Sequence, residues 1–281
     1  LSLHDALPIS DPYIKYSNTI IGYKTMYFVT SVRSSVAVGY QAFYQPTECR
    51  DVGYVAIGSE ALCYNNSNIY NTAIGYRALY GPGQILGSCS DPGTGVNTAT
   101  GYMTMKSLYN GLFNTAIGAQ AIYSITGASN NTAAGYQALY SNQTNASNSA
   151  LGYKALYSHT LGVAAQAIGS LALYSNTYGE NLAVGCQALK QNINGEFNVA
   201  VGVNALFSNN LISTKNSVAV GVQALMNSSA SNNTAIGVEA LYNNTTGNYN
   251  TAAGQWSLYK NTKGAYNVSL GYQSLFSDDV G

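Results

Sequence analysis

Charge is scarce in this chain. Only 8% of its 281 residues are Asp, Glu, Lys or Arg, where a soluble domain carries about 25%. Eleven bases balance eleven acids, so the formal net charge is zero. A nucleic-acid partner is excluded, because it needs a basic face that scattered bases cannot build. Two histidines, His4 and His159, leave no Ser-His-Asp or Cys-His set to assemble. No apolar run reaches the roughly 18 residues that cross a bilayer, so no membrane insertion by this segment is expected. Cysteine is sparse too: Cys49, Cys63, Cys89 and Cys186 include no C-x-x-C pair, which removes zinc-ribbon and thioredoxin-like chemistry. Free buried thiols and a disulfide among Cys49, Cys63 and Cys89 both stay open. Low charge with 46% hydrophobic residues also argues against a disordered tail.

What the chain does have is tyrosine, 25 against 6 Phe and 1 Trp, and a repeat. A glycine recurs at Gly22, Gly39, Gly58, Gly75, Gly101, Gly118, Gly135, Gly152, Gly169, Gly185, Gly202, Gly221, Gly237, Gly254 and Gly271. Nine of the fourteen gaps are 17 residues; the others are 16, 19 or 26. Each glycine sits in one frame with the consensus N-T-A-I-G-Y-Q-A-L-Y, well seen in Asn71 to Tyr80 and Asn131 to Tyr140. Counting from the glycine, position −4 is Asn in eleven copies and −2 is Ala in thirteen. Position +3 is Ala in eleven, +4 is always apolar, and +5 is Tyr in nine. The repeat covers residues 18–276. Residues 1–17 form a non-repeat leader, whose first ten resemble a translated adapter sequence and are set aside. A loop insertion fills the long gap at 81–96, and 277–281 read as a truncated end.

Seventeen residues is too short for helix-pair or leucine-rich repeats. It fits one coil of a β-solenoid, with two or three strands of about four residues separated by Asn, Ser, Thr and Gly turns. The first strand is N-T-A-I, with Ala and Ile on opposite faces. The glycine allows a tight bend or a close backbone approach. The second strand is expected over Y-Q-A-L-Y, with Tyr and Ala on one face and Leu on the other. About fifteen coils at a spacing of about 4.8 Å give a rod roughly 70 Å long, with identical side chains stacked into ladders. Side-chain amides at −4 are expected to bond up the stack as an asparagine ladder: Asn71, Asn97, Asn114, Asn131, Asn148, Asn181, Asn198, Asn233, Asn250 and Asn267. Both faces of each strand carry apolar residues, so a lone thin coil would expose one as a long stripe. That favours parallel association of identical chains as a homotrimer. A wider single-chain solenoid is the alternative.

The run N-[ST]-[AV]-[AIV]-G-x-x-[AS]-[LM] resembles the head repeats of YadA-like trimeric autotransporter adhesins. The longer wording, Asn71-Thr72-Ala73-Ile74-Gly75-Tyr76-Arg77-Ala78-Leu79-Tyr80, is similar to repeats of bacterial and phage tail-fibre-like proteins. The resemblance implies an all-β fold, a left-handed parallel β-roll in a parallel homotrimer. It also implies a structural or adhesive role at the cell surface or on a virion, with a host-surface or matrix receptor, glycans included, as partner. The period of 17 is longer than adhesin heads typically show, and the chaperone, stalk and anchor of those families have no counterpart here.

Little in the chain suggests chemistry. His159 lies in an Asn-rich spacer, where an exposed side chain is expected. Glu60 and Glu239 share position +2 in remote coils and cannot meet within one chain, and Glu180 and Glu196 fall one coil apart at turns and read as solvated. Asp278 and Asp279 read as a frayed end. Calcium-binding rolls need Asp in every repeat, so neither metal nor cofactor is expected. Nine N-x-[ST] sequons, at Asn65, Asn130, Asn142, Asn145, Asn227, Asn232, Asn243, Asn244 and Asn267, read as turn chemistry. Four functions fit: an adhesive fibre segment, a self-assembling extracellular filament, an ice-binding solenoid using Thr at −3, and a polysaccharide-degrading tailspike.

Overall fold

The computed structural model describes residues 18–27, 31–44, 50–64, 70–81, 96–108, 111–162, 164–207 and 214–277. The leader, His4, Cys49, Asn65, Cys89, residues 82–95 of the loop insertion, Asp278 and Asp279 lie outside them. The described chain is all-β: a parallel β-solenoid in which each frame contributes one three-residue strand. It divides into two compact units, residues 1–146 and 147–281. In the first, strands Thr19–Ile21, Val36–Val38, Val55–Ile57, Thr72–Ile74, Thr98–Thr100, Thr115–Ile117 and Thr132–Ala134 pair in chain order. A separate two-stranded sheet pairs Ser31–Arg33 with Arg50–Val52. In the second unit, eight strands from Ser149–Leu151 to Val268–Leu270 do the same.

Register follows the frame throughout. Ala99 faces Ala116, and Ala116 faces Ala133. Gaps of 16 and 19 leave it intact: Gln166 pairs with Leu182, and Val199 with Val218. The difference in length is absorbed in the spacers, where a parallel crossover tolerates it.

The second strand is not formed. Over Y-Q-A-L-Y the backbone alternates between hands: Gln137 has φ 53° and Leu139 φ 53°, and the same two positions are left-handed in frame after frame. A side chain at +4 is therefore not rotated to the opposite face from +3. Ala138 and Leu139 are adjacent in sequence, yet both point inward with no exposed surface. Period-two reasoning fails here because it assumes extended dihedrals at every residue. A leucine in the left-handed region costs about 1–2 kcal/mol, and burying that leucine recovers about 2–3 kcal/mol.

Backbone hydrogen bonding between coils continues through this non-strand segment. Gln120 N donates to Tyr102 O of the preceding coil (2.8 Å), and Ile122 N donates to Ala138 O of the next (2.9 Å). Alternate residues thus bond down and up the stack, so polar backbone groups remain paired although the segment is not extended. The interior is narrow. It holds Ala at −2, Ala at +3 and a large apolar residue at +4, such as Leu79, Leu173 or Leu206, all fully buried.

Candidate functional site

Two polar rows line the interior. At −4, an Asn that follows an Asn within one unit is bonded to it. Asn114 donates its backbone N to Asn97 Oδ1 (2.9 Å) and its Nδ2 to Asn97 Oδ1 (3.1 Å) and Ala128 O (2.8 Å). Asn114 Oδ1 in turn accepts from Asn131 N (3.0 Å) and Nδ2 (3.1 Å). Asn71 Oδ1 accepts from Asn97 N, Asn148 Oδ1 from Ala165 N, and Asn181 Oδ1 from Asn198 N. The row continues from Asn233 to Asn250 and on to Asn267. Where Ser217 interrupts it, the serine hydroxyl accepts from Asn233 N at 3.3 Å. The amides therefore close the coils from inside and are not available to a ligand.

A second inner row, at +7, lies beyond the frame of −4 to +5. Asn142, Asn176, Asn192, Asn244 and Asn261 are buried there. Asn192, Asn244 and Asn261 turn Nδ2 to the carbonyl three residues on, at Gly195, Gly247 and Gly264. Extending the frame past +5 would have revealed it, since Asn recurs at that offset. The sequons at Asn142, Asn145 and Asn244 are therefore buried, while Asn130 is exposed.

His159 occupies one rung of this second row and is fully buried, not exposed as the spacer composition suggested. Its Nε2 lies 3.2 Å from Gly162 O, and its Nδ1 lies 3.1 Å from Asn176 Nδ2. The neutral ring with hydrogen on Nε2 satisfies both contacts. Rotating the Asn176 amide by half a turn would present its oxygen to Nδ1 instead, the arrangement a protonated ring needs. Burial lowers the pKa below the usual 6.5, offset in part by the bonds to Gly162 and Asn176. The unfolded chain then binds more protons than the folded one between the two values. Stability should be complete above pH ~6.5 and decline as pH falls below it. His159→Asn, which restores the row's usual residue, is expected to flatten the acid side of a melting-temperature profile between pH 7 and 5. An unchanged slope would show that other groups carry it.

The outward rows are of a different kind. Positions −3, −1 and +1 project from the strand and the bend after it. Ile117, Leu151, Ile168 and Ile236 at −1 are exposed, as are Tyr102, Tyr136 and Tyr153 at +1. None of the fifteen frames carries an acid or a base at any of these three positions. Tyrosines at +5 form a half-buried second row, with stacked rings 5.0 Å apart for Tyr123–Tyr140 and 5.2 Å for both Tyr157–Tyr174 and Tyr242–Tyr259.

Charge is concentrated at +2, at +5 and in the spacers. Arg77 and Glu60 occupy +2 in adjacent coils and pair at 2.8 Å. Lys154 sits 5.4 Å from the Tyr153 ring and 5.3 Å from the Tyr157 ring. Glu239 accepts from Trp256 Nε1 at 3.1 Å. Glu196 pairs with Lys215 at 2.9 Å, while Glu180 is exposed. No two like charges stand at +2 in adjacent frames, as a stacked repeat requires.

Cys63 and Cys186 carry free thiols. Cys63 is buried, and burial, with Glu60 nearby, pushes its thiol up to about 12. Cys186, in contrast to the expected burial, is exposed at a +1 position. The described residues contain no group of three or more His, Cys, Asp or Glu that could hold a metal ion. No helix among them is long and apolar enough to cross a membrane. In comparisons with family models, curated proteins and solved structures, the chain matches none.

Proposed function

We propose that the chain is a segment of a structural and adhesive fibre, built as a parallel homotrimer and exposed at a cell surface or on a virion. The observation that carries this reading is the repetition of the same side chains from coil to coil, with stacked tyrosines at +5 and exposed Asn and Thr in the spacers as the groups offered to a receptor. A stiff repeat array presents the same weak contact many times, and avidity follows from their number. Its partner is a surface receptor with a repetitive, polar and uncharged face, of which a glycan is the model. Tyrosine offers an apolar ring with a polar tip, and amides supply both donor and acceptor. Binding to polysaccharide immobilised at graded density tests it. Retention should fall far more than in proportion when density is halved. A simple isotherm independent of density would overturn the multivalent reading. Crosslinking with sedimentation tests assembly, and a monodisperse monomer at all concentrations would overturn the trimer.

A second reading, ice binding, has one observation in its favour. Thr72, Thr98, Thr115 and Thr132 face one another in register on successive strands. In residues 147–281 the same position carries Ser149, Gln166, Leu182, Val199, Val218 and Val268, and only Thr234 and Thr251 face one another there. Absence of thermal hysteresis at high protein concentration would remove this reading.

A further inference from the structure

We propose that the surface formed by positions −3, −1 and +1 is the seam through which a second copy of this chain docks, rather than the receptor-facing side. The inference rests on the fibre reading and adds to it which face is consumed in assembly. Three observations point to it. First, charge is absent from these positions in all fifteen frames, although Lys24, Glu60, Arg77, Lys154 and Glu239 stand only one residue further along at +2. A charge-depleted centre with charge at its margin is how protein interfaces are composed.

Second, the area is sufficient. In residues 147–281 alone, eleven large hydrophobic side chains on these rows are exposed, among them Leu151, Tyr153, Ile168, Val220 and Ile236. At roughly 80 Å² each they amount to about 900 Å², more than the 300–600 Å² of the largest patch on an ordinary monomer and close to the ~800 Å² per partner of a stable interface.

Third, the surface is periodic. Its strands stay in frame register where the sequence gap is 16 or 19, because the spacers absorb the change. A partner that contacts every rung must share that rise. A copy of this chain has it by construction, whereas a globular partner would match only one or two rungs. The polar spacer side, with Asn130, Asn194, Thr245 and Thr246 exposed, is then left free for other contacts.

The test is sedimentation equilibrium on the full chain and on Val220→Lys/Ile236→Lys. The two positions lie on paired strands, facing outward, where lysine can reach solvent. Asn194→Lys, on the exposed spacer, serves as the charge control. Val220→Thr/Ile236→Thr is a milder variant, since threonine already stands at −1 in Thr100. Circular dichroism verifies folding of each. The expected result is self-association of the full chain, abolished by the lysine pair, weakened at least tenfold by the threonine pair and unaffected by Asn194→Lys. Association that survives the folded lysine pair would overturn the seam and leave the fibre reading standing. A full chain that stays monomeric would overturn the seam together with the homotrimer, while density-dependent binding to polysaccharide would still uphold adhesion. If the lysine pair fails to fold, the threonine pair decides, and unchanged association in it overturns the proposal.

Discussion

Gly185→Ala is expected to lower stability by about 4 kcal/mol or more, a large part of the 5–15 kcal/mol that holds a domain folded. Two separate costs combine. Gly185 has φ +138°, a region L-residues rarely adopt, and holding a side chain there costs about 1–3 kcal/mol. In addition, a Cβ would lie 2.5 Å from Gly202 O and 2.6 Å from Gly202 C of the next coil. Those atoms are backbone and cannot rotate away, so the coils must part. Three other glycines separate the terms. Gly271, with φ +114° and nothing within 4 Å of its Cβ, would pay for conformation alone. At Gly247 the φ is ordinary, but a Cβ would strike Gly264 O and Asn244 Oδ1, so substitution there pays for the clash alone. Gly127 meets neither obstacle, and alanine there should be neutral or stabilising by up to about 1 kcal/mol. Chemical unfolding followed by circular dichroism should rank Gly185 as worst and Gly127 as harmless. Equal loss at Gly127 and Gly185 would refute this account of the glycine row. Because solenoid stability is shared between neighbours, Gly185→Ala should also split the melt into more than one transition.

Asn114→Ala is expected to cost about 3–5 kcal/mol. The side chain is fully buried and joins three rungs through four side-chain bonds. Removing it strands the buried N–H of Asn131 and the carbonyl of Ala128, and each unmet buried group costs about 1–3 kcal/mol. Asn114→Asp is the sharper variant. It keeps the shape but replaces the Nδ2 donor by an oxygen facing Asn97 Oδ1 and Ala128 O. At pH 7 it should be less stable than the alanine variant, because a buried, repelled charge is added to the lost bonds. The folded state would hold that carboxyl's pKa above the ordinary 3.9, so the variant binds more protons folded than unfolded and should gain stability as pH falls toward 4. An aspartate variant as stable as the parent at pH 7 would mean that the inner amides do not carry the stack.

Both of these rows can be read from the sequence. Fifteen glycines in one frame and the Asn at −4 are visible as spacing, because each coil must solve the same packing problem and so reuses the same residue. Strand alternation sets Ala at −2 and the residue at −1 on opposite faces, and the structure decides which is inside: Ala73, Ala116 and Ala235 have no exposed surface. Alternation misleads immediately after the glycine. Nothing in the residue types Gln137 and Leu139 announces a left-handed backbone, which ordinarily selects Gly or Asn. Only the stacked coil makes it affordable, by supplying bond partners above and below and a space that leucine fills. His159 misled for a related reason: a spacer of polar residues reads as solvent-exposed, yet one position of that spacer turns inward to meet Asn176.

The sequence by itself therefore determined the class of fold, its period, its register and its poverty in charge, since all of these are consequences of repetition. Tertiary structure alone decided the hand of the backbone at +2 and +4, the inward pairing of Ala with Leu, the inward turn of the +7 residues and which strand face stands outward. Those depend on which groups a neighbouring coil brings within hydrogen-bonding or van der Waals reach, and that proximity arises only when residues 17 apart in the chain become adjacent in space.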